Sequence, residues 1–250
     1  MKAMILAAGL GTRLRPYTND RPKALVTVAG RTLLEITLGR LRDFGVRDVI
    51  VNVHHFADMV AEYLQANFNF GMRIEISREN ALLDTGGGLK KAAWFFLENG
   101  TEAAEPLLVN NVDVLSTIDF AGMMRFHIEH KALATLAVQQ RETSRPLLFN
   151  ERGELCGRRV GRHAEIEWAR PAQQVEALAF CGIHVLSPRI FAGLIEEGAF
   201  PIIPAYLRFA AQGEALLAFR ADEFYWRDLG RPEDLSMAEH DFASGACHLS

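Results

Sequence analysis

The chain has 250 residues, of which 49% are hydrophobic and 23% charged, with a formal net charge of −4 at pH 7. This length accommodates one large α/β domain, or such a domain with a small insertion, and the apolar content suffices for a buried core. The mildly acidic balance excludes the basic footprint of a nucleic-acid or anionic-membrane binder and leaves small-molecule chemistry as the default. Cys156, Cys181 and Cys247 lie far apart, with no C-x-x-C and no Cys/His metal spacing, as expected of free thiols in a reducing cytosol. No run approaches the roughly 18 apolar residues that a membrane-spanning helix requires.

In chain order, Met4-Ile5-Leu6-Ala7-Ala8 reads as a buried parallel strand that empties into the turn Gly9-Leu10-Gly11-Thr12-Arg13. Thr32-Leu33-Leu34-Glu35 is a capping box that opens a helix to about Phe44, which Gly45 ends. A strand over 48–53, a helix over 56–66 and a strand over 72–77 follow. Asp84-Thr85-Gly86-Gly87-Gly88 opens a helix to about Leu97, and an apolar strand over 106–110 runs into Asn111-Val112-Asp113. A helix over 118–130 and a strand over 132–139 complete an alternation that argues for a doubly wound, mostly parallel sheet. The stretch 140–177 is polar and Arg-rich and breaks this rhythm, so it reads as irregular hairpins forming a lid. A core strand over 178–186 resumes the pattern, followed by helices over 187–197 and 204–211, short strands over 216–219 and 225–228, and a closing helix over 232–243.

The turn after the first strand carries the chemistry. Glycines let the backbone approach a phosphate closely and aim N–H groups at it, while Arg13 and Lys23 add full charges, one a planar fork and the other a point charge. A bare G-x-G fits an ordinary strand-to-loop turn equally well. The P-loop pattern is absent because Gly11 is followed by Thr12-Arg13, and the dinucleotide fingerprint is absent because its third glycine is replaced by Leu14. The longer string A-A-G-x-G-T-R-L-x-P-x-T, followed by P-K-x-L, is far more specific. It resembles the signature of nucleotidyltransferases that make nucleoside-diphosphate sugars from an NTP and a sugar 1-phosphate. The likeness runs from Met1 to about Ala243 and is closest to short bacterial uridylyltransferases of that family.

The resemblance implies a single Rossmann-like α/β domain over 1–250, of the nucleotide-diphospho-sugar transferase type, with the acceptor under the 140–177 lid. It implies that Ala8, Gly9, Gly11, Thr12, Arg13 and Lys23 hold the nucleotide phosphates, with Arg13 and Lys23 acting catalytically. Val109-Asn110-Asn111-Val112-Asp113 resembles the family's N-x-D patch, and Trp226-Arg227-Asp228-Leu229-Gly230 resembles its W-x-D-x-G segment. Asp113 and Asp228, 115 positions apart, would then be the ligands of Mg²⁺, a cation that accepts two protein oxygens and takes the rest from phosphate and water. Without the flanking patterns either aspartate reads as a turn cap.

The loop at Thr85, Gly86 and Gly87 resembles the segment that packs on the nucleotide base, where a helix start would offer exposed N–H groups. Glu79 and Asn80 are candidate base or ribose contacts. Asn111 and Gly182, the latter in Phe180-Cys181-Gly182-Ile183-His184-Val185, are expected against the acceptor. Many relatives carry a lid lysine for the sugar phosphate, yet lysine occurs here only at positions 2, 23, 90, 91 and 131; Arg158, Arg159 and Arg162 are the candidate replacements. His54-His55 point to opposite faces of a strand, and His127 with His130 lacks a third ligand. The expected partners are an NTP and a sugar 1-phosphate. Uridylyl transfer leads, with guanylyl transfer to mannose or heptose 1-phosphate, cytidylyl transfer to phosphocholine, and a catalytically silent nucleotide-sugar sensor as alternatives. Oligomeric state has no legible signature.

Overall fold

The first apolar run forms β1 (Lys2–Leu6), an inner strand of a ten-stranded sheet in a computed structural model that describes residues 1–98, 100, 105–161 and 165–247. A small hairpin of β2 (Thr27–Val28) and β3 (Arg31–Thr32) precedes α1 (Leu33–Asp43). Thr32 caps that helix by accepting from Glu35 N at 3.0 Å, while the Glu35 carboxylate accepts instead from Tyr63 Oη, so only half of the capping box forms. Next come β4 (Asp48–Val53), α2 (Ala57–Ala66), β5 (Arg73–Arg78), α3 (Asp84–Lys91) and α4 (Ala93–Phe96). Then follow β6 (Leu107–Asn111), β7 (Val114–Ser116), α5 (Phe120–Glu129) and β8 (Ala134–Gln139).

The hairpin segment yields β9 (Leu147–Phe149), β10 (Leu155–Val160), β11 (Glu165–Trp168) and the first residues of β12 (Glu176–Leu186). The chain ends with α6 (Ile190–Gly193), α7 (Ile202–Ala211), β13 (Leu216–Arg220), β14 (Trp226–Asp228) and α8 (Pro232–Ala243).

The main sheet runs β5-β4-β1-β6-β12-β8-β13, and β12 alone among these is antiparallel to its neighbours. Alternation along β1 sets the two layers: Ala3 and Ile5 pack with α1, α2, α5 and α8, whereas Met4 packs with α3, α4 and α7. The expected mostly parallel, doubly wound, Rossmann-like architecture is therefore observed. The parallel strands end at one edge of the sheet, where open α/β folds bind ligands.

Two expectations change. Residues 140–177 do not simply cap the sheet: β9 pairs with the start of β12, and β10 and β11 extend outward from it. Leu147, Leu148, Phe149, Leu155 and Cys156 are buried, an apolar component that the arginines around them mask in the sequence. The helix expected over 187–197 shrinks to the single turn α6, because the chain leaves helical geometry at Leu194, with φ −77° and ψ 89°. Among the described residues no helix is long and apolar enough to cross a membrane.

Candidate active site

β6 delivers Asn111 and Asp113 to the ligand edge, and a two-stranded ribbon brings Asp228 to them. In that ribbon β14 pairs with β7, setting Asp228 opposite Val114, and Leu229 N donates to Asp113 O at 2.8 Å. The fold thus unites two carboxylates that the sequence holds far apart. Lys23, buried at 7% exposure, donates from Nζ to Asp113 Oδ2. Arg13 comes close to Asp228 through Gly230, where an added Cβ would lie 3.0 Å from Arg13 Nη2 and 3.1 Å from Asp228 Oδ1.

Asp228 carries a perturbed carboxyl. Burial raises its pKa, the neighbouring Asp113 raises it further, and Lys23 and Arg13 only partly offset both. Its Oδ1 is buried without a hydrogen-bond partner. An unpartnered carboxylate oxygen beside a second carboxylate is a place that a cation would fit.

These groups open into a cleft of 710 Å³ whose lining includes Arg13, Asn111, Asp113, Gly182 and Asp228. Gly182 adopts φ +72° where the pairing of β12 with β8 is interrupted, and a Cβ there would lie 2.8 Å from Asn111 Nδ2. Glycine therefore keeps both the backbone turn and the space beside Asn111. In the loop after β1, Gly11 holds φ +65° with Thr18 and Lys23 packed where a Cβ would stand, and Thr18 Oγ1 donates to Gly11 O at 2.9 Å. Ala8 is buried, nothing lies within 4 Å of a Cβ placed on Gly9, and Thr12 and Arg13 are exposed, so the loop faces open space.

The structure places the other candidates elsewhere. Glu79 is 4% exposed; its carboxylate accepts from Asn52 Nδ2 at 2.7 Å and from Leu83 N at 2.9 Å, while Asn52 Oδ1 accepts from Ala7 N at 2.7 Å. It ties the end of β1 to the start of α3 and does not face the cleft. The N–H groups of Gly86 and Gly87 are not free either, since both donate to Phe200 O, at 2.9 and 3.2 Å. Thr85 Oγ1 accepts from Ile202 N. Those glycines are needed because a Cβ would lie 2.3 Å from the Phe200 ring at Gly86 and 2.4 Å from Gly198 O at Gly87. Only Asp84 of this loop reaches the cleft, from a left-handed backbone with φ +60°.

Arg158 and Arg159 line the cleft, though Arg158 is paired with Glu167 at 2.6 Å; Arg162 lies outside the described residues. His54 and His55 follow β4 rather than lying on a strand; His54 Nδ1 bonds Glu79 O, and His127 Nδ1 bonds Thr135 Oγ1. No group of three or more His, Cys, Asp or Glu side chains that could hold a metal occurs among the described residues, so the two aspartates would have to share a cation with ligands from substrate and water.

Sequence reasoning missed Arg141, which lies in the cleft wall together with Trp226. Arg141 lies two positions past the end of β8, as Asp113 lies two past the end of β6, and these strands run in the same direction. That equivalence of position at one sheet edge was the available signal.

Known proteins match this chain in sequence and in fold. The Nucleotidyl transferase family model matches residues 2–245. N-acetylmuramate alpha-1-phosphate uridylyltransferase of Caulobacter vibrioides is 36% identical over 246 residues, covering 95% of each chain. Mannose-1-phosphate guanyltransferase beta-B of Xenopus laevis is 32% identical and covers 99% of this chain, which spans 64% of that protein's length. Among solved structures, HddC from Yersinia pseudotuberculosis complexed with GMP-PN superposes with a TM-score of 0.74 at 22% identity, over 96% of this chain and 99% of that one. A UDP-glucose pyrophosphorylase complexed with UDP-glucose reaches a TM-score of 0.75 at 17% identity, covering 98% of each chain; both likenesses speak to the fold. The phosphate-loop string, the sheet and these matches agree, and the chain belongs to the nucleotidyl transferase family.

Proposed function

We propose that this protein transfers a uridylyl group from UTP to an amino-sugar 1-phosphate, releasing pyrophosphate, with Mg²⁺ held by Asp113 and Asp228. The observation that carries the reading is the convergence of Lys23, Arg13 and two carboxylates at one end of an arginine-lined cleft. A sugar phosphate is already an anionic nucleophile, so the site needs no general base. It must hold two polyanions together and spread the charge that develops between them. The Gly9–Thr12 loop and Arg13 bind the nucleotide's phosphates, Arg13 steadying the departing pyrophosphate. Lys23 faces the α-phosphate, and Asn111 and Gly182 shape the acceptor pocket.

The carboxylate pair fits a hard divalent cation. Asp228 Oδ1 is buried and unpartnered, and its ionised form is disfavoured by burial and by Asp113. When bound, Mg²⁺ supplies the positive charge that neutralises the reacting phosphates. The preference for uridylyl transfer is supported by the Caulobacter relative, which matches this chain over nearly its whole length, unlike the longer guanyltransferases. Guanylyl transfer to mannose or heptose 1-phosphate is the second reading, and cytidylyl transfer to phosphocholine a third. In this proposal residues 1–250 act as one unit, and 140–177 covers the acceptor.

Pyrophosphate release, measured with Mg²⁺ across four NTPs and a panel of sugar 1-phosphates plus phosphocholine, tests the reading. UTP with an N-acetylated amino-sugar phosphate is expected to give the highest kcat/KM. A guanosine preference would transfer the proposal to the mannose or heptose class. Nucleotide binding without turnover on any acceptor would favour a silent sensor.

A further inference from the structure

We propose that Arg141 binds the phosphate of the acceptor, replacing the lysine that the 140–177 segment does not contain; the inference rests on the nucleotidyl-transfer reading above. The side chain is half-buried in the cleft wall, and its position is fixed from two directions. Its Nη2 donates to Phe180 O at 2.9 Å, and its guanidinium carbon lies 3.7 Å from the centroid of the Trp226 ring. Trp226 is held in turn by its Nε1, which donates to Cys181 O at 2.8 Å. A guanidinium stacked on an indole and pinned at one nitrogen keeps its plane and its remaining donors in a set direction.

Its charge is not fully matched within the protein. Arg141 forms no ion pair among the described residues, and its buried Nε has no acceptor. Burial lowers the pKa of the group from its ordinary value, partly offset by the neighbouring Cys181 side chain and by Asp228, so an anion in the cleft would stabilise its charge. A phosphate supplies that anion and matches the fork geometry.

The placement suits the acceptor rather than the nucleotide. Phe180 precedes Gly182, the residue whose missing Cβ leaves room beside Asn111, and Trp226 stands two residues before Asp228. Arg141 therefore sits between the acceptor wall and the carboxylate pair, whereas Arg13 belongs to the loop after β1. The other arginines on the lid side of the cleft serve less well. Arg158 is committed to Glu167, and Arg145 and Arg159 are exposed with no side-chain hydrogen bond among the described residues to fix their direction.

The test compares wild-type protein with Arg141→Gln and Arg141→Lys. In steady-state assays, Arg141→Gln is expected to raise the acceptor KM roughly 30-fold or more, the scale of truncating one partner of a buried charged pair. The KM for UTP should stay within about twofold, a split that a general loss of structure would not produce. Arg141→Lys keeps the charge and loses the fork, so it should show a smaller, acceptor-only rise, and it carries the test if Arg141→Gln does not fold. Equal rises for both substrates, or no rise, would overturn the proposal.

A parallel calorimetric titration with N-acetylglucosamine 1-phosphate, in Mg²⁺ and a non-hydrolysable UTP analogue, separates this claim from the reaction itself. If wild-type protein turns over no acceptor, the transfer reading fails and the titration decides Arg141. Weaker binding by the variant upholds the assignment; equal affinity, or no binding by either protein, overturns it.

Discussion

Glu79 offers a sharp test, because its structural role predicts the opposite of a base-contacting role. Its carboxylate satisfies Asn52 Nδ2 and Leu83 N in a region where the residue is 4% exposed. Glu79→Ala leaves both donors unpaired, at about 1–3 kcal/mol each, so about 4 kcal/mol in all. Against a total stability of about 5–15 kcal/mol this is a large share, and for a chain of this size it lowers Tm by roughly 10 °C. Glu79→Gln keeps the volume and one acceptor, and should cost less than half as much. The effect on UTP is indirect, through the Asn52 bond to Ala7 N at the start of the phosphate loop, so affinity should fall only a few-fold. Thermal unfolding followed by circular dichroism, beside UTP titration of the folded variant, reads both quantities. A Tm within about 2 °C of wild type combined with a tenfold or greater loss of UTP affinity would refute the reasoning and return Glu79 to the base pocket.

Two further outcomes follow from the geometry. Gly182→Ala forces a non-glycine residue into φ +72° and sets its Cβ 2.8 Å from Asn111 Nδ2, so it should cost about 1–3 kcal/mol in urea unfolding and raise the acceptor KM. His127 is held neutral in the fold, its pKa pushed down to about 4 chiefly by burial, against 6.5 for the free side chain. As pH falls below about 6.5 the unfolded chain takes up this proton first. The contribution is therefore fully present above that pH and is lost towards pH 4, by about 3 kcal/mol. His127→Gln, which keeps a partner for Thr135 Oγ1, should flatten the fall of Tm between pH 7 and pH 5, and an unchanged slope would remove His127 from the account.

The parts of this molecule that local pattern controls were legible in the sequence. The apolar run at 4–8, the Thr32 cap, the strand at 48–53 and the helix at 232–243 stand almost where periodicity and capping put them, because propensity and burial agree there. The family was legible because the string after the first strand is long. What escaped depended on partners distant in sequence. The meeting of Asp113 with Asp228 follows from β7 pairing with β14, and no local signal records that pairing. Gly86 and Gly87 suggested free amides, yet Phe200 takes both, more than a hundred positions later in the chain. The lid was read as polar because arginines surround Leu147-Leu148-Phe149, a run that the sheet buries. Arg141 looked like one arginine among many until Trp226 and Phe180 O gave it a fixed direction.

The central claim is that Asp113 and Asp228 form a metal-holding pair at the head of the cleft, and Asp228→Asn tests it most directly. The substitution keeps shape and removes a charge that burial and Asp113 both disfavour, so the folded protein should be as stable as wild type or slightly more so. The measurement is pyrophosphate release against Mg²⁺ concentration, with Tm recorded for the same samples. The account predicts a loss of kcat/KM of roughly a thousandfold or more at saturating Mg²⁺, the scale of removing a preorganised electrostatic contact, with Tm unchanged or raised. Turnover within about tenfold of wild type and an unaltered Mg²⁺ dependence would contradict it.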